Sequence, residues 1–106
     1  MTLPLVFSAL SDPTRCEIVA MLSGGERDVA NIAGAFPISG PAISQHLKTL
    51  RNAGLVSVRA QAQKRFYSLD KAAMAGAADW LMRMAGFWNT HLDALEEALH
   101  REVGDG

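Results

Sequence analysis

The 106-residue sequence contains one cysteine, Cys16, so no disulfide can form within the chain. Cysteine-poor chains are typical of the reducing cytoplasm, where we expect this protein. No apolar run reaches the roughly 18 uncharged residues of a membrane-spanning helix. The amino terminus also lacks the basic segment and long apolar run of a secretion signal. We therefore expect a single domain that has no membrane partner.

Sequence motifs for catalysis are also lacking. The chain contains no glycine-rich phosphate loop, no nucleophile elbow and no metalloprotease motif. Four side chains that can bind metals share one helical face near the C-terminus: Asp93, Glu96, Glu97 and His100. Three carboxylates and one imidazole make a poor transition-metal site, and a solvated acidic face explains them as well. We predict no enzymatic activity, no cofactor and no metal site.

Acidic residues are missing from the middle of the chain. The whole chain has a formal net charge of −1, yet no Asp or Glu occurs between Pro37 and Leu69. Residues 38–70 have a net charge of +4, because only Asp70 opposes the basic residues Lys48, Arg51, Arg59, Lys64 and Arg65. A local basic segment is what binding to nucleic-acid phosphates requires, and the overall charge conceals it.

Capping residues and apolar spacing predict a series of short helices in the first half of the chain. Residues 3–10 form a short apolar helix. Asp12 and Pro13 predict the start of a second helix that ends at Gly24–Gly25. Asp28 caps a third helix, which Pro37 stops, and Ser39 caps a fourth that ends at Ala53–Gly54.

The second half of the chain predicts a hairpin and a long helix. Residues 55–59 and 65–69 are strand-like, with the polar turn AQAQK between them. Asp70 caps a helical region to about residue 103, in which Gly76 favours a break near residues 75–78. Two short helices joined tightly before a two-stranded ribbon indicate a mainly α winged helix-turn-helix fold with a small β-hairpin. We place its recognition helix at 39–53, its wing at 55–69 and a C-terminal dimerisation helix at 77–103, all in one domain over 1–106.

The predicted helix from Ser39 has one apolar face and one polar face without acids. Ile43, Leu47 and Leu50 lie on one side and would pack on the domain. The opposite side carries Pro41, Gln45, Lys48 and Asn52, with Ser44 and Thr49 flanking them. Of these, Ser44, Gln45 and Lys48 suit contacts to base edges or phosphates in a major groove. An ordinary solvated face is the alternative, but such faces usually mix acids with bases.

Basic residues also flank the predicted hairpin turn. Arg59, Lys64 and Arg65 could reach the minor groove or the DNA backbone beside the recognition helix, and Arg51 could hold the backbone as well. The alternative is a charged hairpin that only prevents edge-to-edge strand pairing.

A continuous apolar stripe runs along the last helical region, at spacings of three and four residues. Its members are Leu81, Met84, Trp88, Leu92, Leu95 and Leu99. A monomer of this size cannot easily cover both the stripe and the N-terminal segment that contains Leu5, so we predict a homodimer formed through terminal helices. The alternative is that the stripe folds back on its own domain.

Two single residues remain outside these patterns. His46 lies about 60° from the apolar centre of its helix, which favours a packed or backbone-bonded histidine over a ligand. Cys16 is expected to lie in the core as a small apolar side chain.

Four segments together resemble the ArsR family of winged-helix repressors: FSALSDPTRCEIVAML, DVANIAGAF, ISGPAISQHLKTLRNAGLV and RFYSL. The resemblance covers roughly residues 6–69. It implies a homodimer that binds a DNA operator of twofold symmetry, with repression relieved or altered by a signal such as an unknown small-molecule effector. By the same resemblance Ser44 and Gln45 stand at base-contacting positions, while Gly40 and Pro41 begin the helix near the DNA backbone. We include the cap Ser39 among the predicted DNA-binding residues.

The sequence departs from the family pattern in two places. The segment ERDVANIAG has neither the cysteines nor a histidine of the usual metal site, and the hairpin turn lacks the common glycine. Two alternatives stay open, a dimeric protein-interaction module and a repressor that senses metal or redox state through the C-terminal helix or Cys16. The charge pattern of residues 38–70 favours DNA over a protein partner.

Overall fold

The computed structural model describes residues 3–104 and the side chains of residues 3–101. The elements of this range are α1 (Leu3–Ala9), α2 (Pro13–Leu22), β1 (Arg27–Asp28), α3 (Val29–Gly34), α4 (Gly40–Asn52), β2 (Val56–Gln61), β3 (Lys64–Leu69) and α5 (Lys71–Gly104). The predicted mainly helical fold with a small hairpin is confirmed. No helix within the described range combines the length and hydropathy that crossing a bilayer requires.

Capping side chains begin the helices where the sequence predicts them. The carboxylates of Asp12 and Asp28 accept the backbone N–H groups of Arg15 and Asn31 at 3.1 and 2.8 Å, and the Ser39 hydroxyl accepts that of Ala42 at 3.3 Å. Each bond satisfies an N–H that has no partner inside the helix. Local sequence therefore sets the starts of α2, α3 and α4.

Two predicted helix boundaries are wrong. α3 ends at Gly34, before Phe36–Pro37, because the N–H groups of Ala35 and Phe36 bond three residues back and tighten the chain into a turn. α5 continues without a break through Gly76. A single glycine costs a helix about 1 kcal/mol relative to alanine but keeps its N–H donor, so a long helix can contain it.

The chain divides into two compact units, residues 1–75 and residues 76–106. The core of the first unit contains fully buried side chains from four helices and from the start of the hairpin, namely Val6, Ile18, Ile32, Ile43, Leu47, Leu50 and Leu55. α1, α2 and α3 all pack against α4. The single domain expected over residues 1–106 stays a prediction.

The sheet has three antiparallel strands in the order β1-β3-β2. β2 and β3 form the predicted hairpin, with Val58 opposite Tyr67. β1 lies on the other edge of β3, where Arg27 pairs with Tyr67 and Asp28 with Phe66. Sequence reasoning missed β1, because two residues are too few to show the alternation that indicates a strand.

The hairpin turn contains an alanine in the left-handed region of conformational space. Ala62 has a φ of 56°, and the turn consists of Ala62 and Gln63 alone. A Cβ atom in this conformation crowds the following carbonyl, whereas glycine adopts it freely. The missing glycine noted in the sequence therefore leaves local backbone strain at the wing tip.

We expect Ala62→Gly to stabilise the protein by about 0.5–1 kcal/mol, since relief of the strain outweighs the entropy that glycine loses on folding. Urea unfolding followed by circular dichroism measures the change. Ala60→Gly is the matched control, because Ala60 lies in β2 opposite Arg65 and its φ is not positive. The control should destabilise the protein, and equal shifts for both variants would contradict the argument.

Candidate nucleic-acid interface

Helix α4 presents its polar face to solvent as the sequence predicts. Ile43, Leu47 and Leu50 are buried in the first unit. Ser44, Gln45, Lys48 and Arg51 are exposed. The apolar contacts hold the helix on the core, so its outer face is free to meet another molecule.

The start of α4 is also exposed. Ser39, Gly40 and Pro41 lie at its cap and first two helical positions. Proline is tolerated there because its missing N–H would have no partner inside the helix in any case.

A groove of about 810 Å³ runs between α4, the start of α3 and the hairpin. Five of the ten predicted DNA-binding residues line it: Ser44, Lys48, Arg51, Lys64 and Arg65. The tertiary structure thus brings the cations of the helix and the hairpin together along one groove. Gln45, Arg59 and the helix start lie outside the lining. Asn52, which the sequence places on the polar face of the helix, also lines the groove, and so does Gln63, which was not predicted.

An acidic residue from outside the basic segment neutralises Arg59. Its Nε and Nη2 atoms donate to the two carboxylate oxygens of Glu26 at 2.9 and 2.6 Å, and its guanidinium carbon lies 4.6 Å from the centre of the Phe66 ring. The hydrogen bonds from Arg59 lower the pKa of Glu26, and the same bonds raise the pKa of Arg59. Arg59 therefore fastens the hairpin to the loop that precedes β1.

Asp28 lies in the same groove as the hairpin cations. Its carboxylate is 3.8 Å from Nζ of Lys64 and also accepts the N–H that caps α3, so the ion pair with Lys64 is weak. Lys48, Arg51 and Arg65 form no ion pair within the described part of the chain. These three cations carry the positive potential of the groove.

The sequence predictions for His46 and Cys16 have different outcomes. His46 is half-buried, which agrees with the packed histidine of the prediction, and its Nδ1 lies 3.2 Å from Nη1 of Arg15. The prediction of a buried Cys16 is wrong, because it is exposed and its Sγ lies 2.9 Å from the Leu10 carbonyl. It stands about 200° from Ile18 around α2, away from the buried face.

The apolar stripe of α5 is exposed in the second unit. Leu81, Trp88, Leu92, Leu95 and Leu99 are each 50–59% exposed, whereas Met84 is half-buried. In the first unit, Leu5 on α1 is 55% exposed. Large apolar side chains in a continuous exposed row are typical of an interaction surface.

The acidic face of α5 shows no assembled metal site. His100 Nε2 and Glu96 Oε1 are 3.7 Å apart. Across the residues that the structure describes, no cluster of three or more His, Cys, Asp or Glu side chains could hold a metal ion.

Comparison with protein families finds a match to the family described as "Bacterial regulatory protein, arsR family", over residues 12–58. This range runs from the cap of α2 to the middle of β2, so it includes α4 and the start of the hairpin.

Individual proteins resemble the chain over more of its length. Transcriptional repressor SdpR of Bacillus subtilis is 39% identical over 77 residues, which is 73% of this chain and 86% of that protein. An HTH-type transcriptional regulator of Mycobacterium tuberculosis is 37% identical over 93% of this chain and 90% of its own. A solved ArsR-like transcriptional regulator from Rhodococcus sp. RHA1 superposes with a TM-score of 0.76 at 33% identity, covering 90% of each chain.

Proposed function

The chain belongs to the arsR family of bacterial regulatory proteins and is a DNA-binding transcriptional repressor, and we propose that it binds as a homodimer to an operator of twofold symmetry. In this proposal α4 enters the major groove, with Ser44 and Gln45 at base edges and Lys48 at a base or phosphate. Arg51, Lys64 and Arg65 hold the DNA backbone, and the cap and first residues of α4, from Ser39 to Pro41, lie close to it.

One observation carries the DNA proposal: the groove between α4 and the hairpin holds three cations that no carboxylate neutralises within the described residues, Lys48, Arg51 and Arg65. Phosphates are the partner that such a row of cations attracts. The polar side chains of α4 beside these cations can form hydrogen bonds with base edges. Arg59 differs from them, because Glu26 already neutralises it, and we assign it to hairpin anchoring more than to phosphate binding.

The exposed stripe of α5 supports the homodimer. A second copy of the chain offers an identical apolar row, so two helices can cover each other about a twofold axis. A dimer also places two recognition helices one DNA turn apart, about 34–36 Å, as a palindromic site requires.

Selection of bound sequences from a random DNA pool tests the proposed function. We expect an inverted repeat to be enriched, and a reporter gene placed behind that sequence to be repressed when the protein is expressed. Failure to enrich any sequence, or activation of the reporter, would contradict the proposal.

We expect Gln45→Ala to cost about 1–3 kcal/mol of operator binding and to relax the base preference at one position of each half-site. Binding to the selected operator and to its single-base variants measures both effects. Asn89→Ala removes an exposed amide from α5 and is the control. An equal loss on every DNA sequence would show that Gln45 does not contact a base.

A further inference from the structure

The guanidinium of Arg15 joins three helices of the first unit. Its Nε donates to the Ala9 carbonyl at 2.6 Å, and Nη2 donates to the Ser8 carbonyl at 3.5 Å. Nη1 lies 3.2 Å from Nδ1 of His46, on α4. Arg15 itself lies in the first turn of α2. One side chain therefore links the end of α1, the start of α2 and the middle of the helix that faces DNA.

These contacts use the particular shape of arginine. Ala9 and Ser8 lie in the last turn of α1, where carbonyl groups lack partners within the helix and attract a cation. The Ser8 carbonyl also accepts the backbone N–H and the hydroxyl of Ser11, so the shorter bond to Ala9 is the main contact of Arg15 with α1. A guanidinium provides several N–H donors in a fixed planar fork, so it can bond two carbonyls and an imidazole together. A lysine ammonium has the same charge without that geometry.

The bond to Arg15 gives one ring nitrogen of His46 a defined role. A guanidinium has donors and no acceptor, so Nδ1 of His46 accepts this bond. Asp12 Oδ2 is 3.9 Å from the same nitrogen, too far for a hydrogen bond, and it instead accepts the Arg15 backbone N–H.

The link restricts the rotation of α4 about its own axis. Burial of Ile43, Leu47 and Leu50 sets which side faces the core, but apolar packing is non-directional and tolerates small rotations. His46 lies to one side of the apolar stripe, so a directional hydrogen bond at His46 prevents these small rotations of α4. The direction of the adjacent Gln45 side chain follows from the rotation of the helix.

We propose that Arg15 is a positioning residue for DNA recognition, which orients α4 through His46 and does not itself touch DNA. The inference rests on the proposed function, because it concerns how the same helix achieves its specificity. It assigns a recognition role to the arginine of the SDPTR segment, which lies outside the groove that faces the DNA.

The test compares operator and scrambled DNA as ligands for the full-length protein. We expect Arg15→Gln and Arg15→Lys each to weaken operator binding by about tenfold or more, equivalent to about 1.4 kcal/mol. Binding to scrambled DNA and the salt dependence of operator binding should stay unchanged, because no phosphate contact is lost. Arg83→Gln, which removes an exposed cation from α5, should behave like the wild type.

Variants at His46 complete the test and leave the Arg15 contacts to α1 in place, so they avoid a folding defect. His46→Gln keeps an acceptor and should retain most of the operator affinity, whereas His46→Leu should lose as much as Arg15→Gln. Wild-type affinity in Arg15→Lys or His46→Leu would overturn the inference, as would a shallower salt dependence in Arg15→Gln. If the wild type itself fails to distinguish operator from scrambled DNA, the proposed function fails and this inference fails with it.

Discussion

Leu92→Glu is expected to convert the protein from a dimer to a monomer at micromolar concentration. Leu92 lies in the middle of the α5 stripe and is 57% exposed, so a second copy would have to bury two new carboxylates against its own apolar row. Buried charges without partners cost several kcal/mol, which weakens dimerisation by about a thousandfold or more. Sedimentation velocity measures the change directly.

Operator binding should fall together with dimerisation. A monomer binds one half-site and loses the effective concentration that a linked second helix provides, a factor of about 10²–10⁴. Thr90→Glu is the matched control, since residue 90 lies on the opposite side of α5 from the stripe and is exposed. A Leu92→Glu protein that stays dimeric, or a Thr90→Glu protein that dissociates, would contradict the assignment of the stripe as the dimer surface.

Removing Lys48 and Arg65 together should have the second large effect. These groove-lining cations have no carboxylate partner in the described part of the chain, so their charge is available to phosphates. A dimer of Lys48→Gln/Arg65→Gln loses about four phosphate contacts, and the slope of log affinity against log salt should fall by about 3–4. Affinity near physiological salt should drop by about a hundredfold or more, measured by fluorescence anisotropy.

Arg59→Gln provides the control for this electrostatic argument. It removes the same type of charge from the same hairpin, but from a residue that Glu26 already neutralises. Compared with Arg65→Gln alone, Arg59→Gln should leave the salt slope nearly unchanged. Equal changes in slope for the two single variants would show that pairing within the free protein does not decide which cations bind DNA.

Local sequence predicted the framework of the interface. The caps Asp12, Asp28 and Ser39 and the buried face of α4 are confirmed, because they depend on residues within one or two helical turns of each other. The family resemblance is confirmed as well. The roles of individual residues in DNA binding and dimerisation stay predictions, since they concern partners outside the chain.

Long-range contacts were beyond sequence reasoning. Glu26 and Arg59 are 33 residues apart, and Arg15 and His46 are 31 apart, and no periodicity connects such distant positions. The charges counted by segment suggested that the acidic residues lie far from the basic hairpin. In the structure, however, β1 pairs with the hairpin strand β3, and this places Asp28 and the preceding Glu26 beside the hairpin cations. Charge counted along the chain therefore overestimates the charge available at the surface.

The sequence by itself determined where α2, α3 and α4 begin and which face of α4 is apolar, because helical periodicity and capping act over a few residues. It also showed that cations concentrate in the middle third of the chain. Only the tertiary structure decided which of those cations remain unpaired, that Cys16 faces solvent and that Arg15 reaches His46. Those outcomes depend on how helices and strands far apart in the chain pack together, and packing brings specific side-chain atoms within hydrogen-bonding distance.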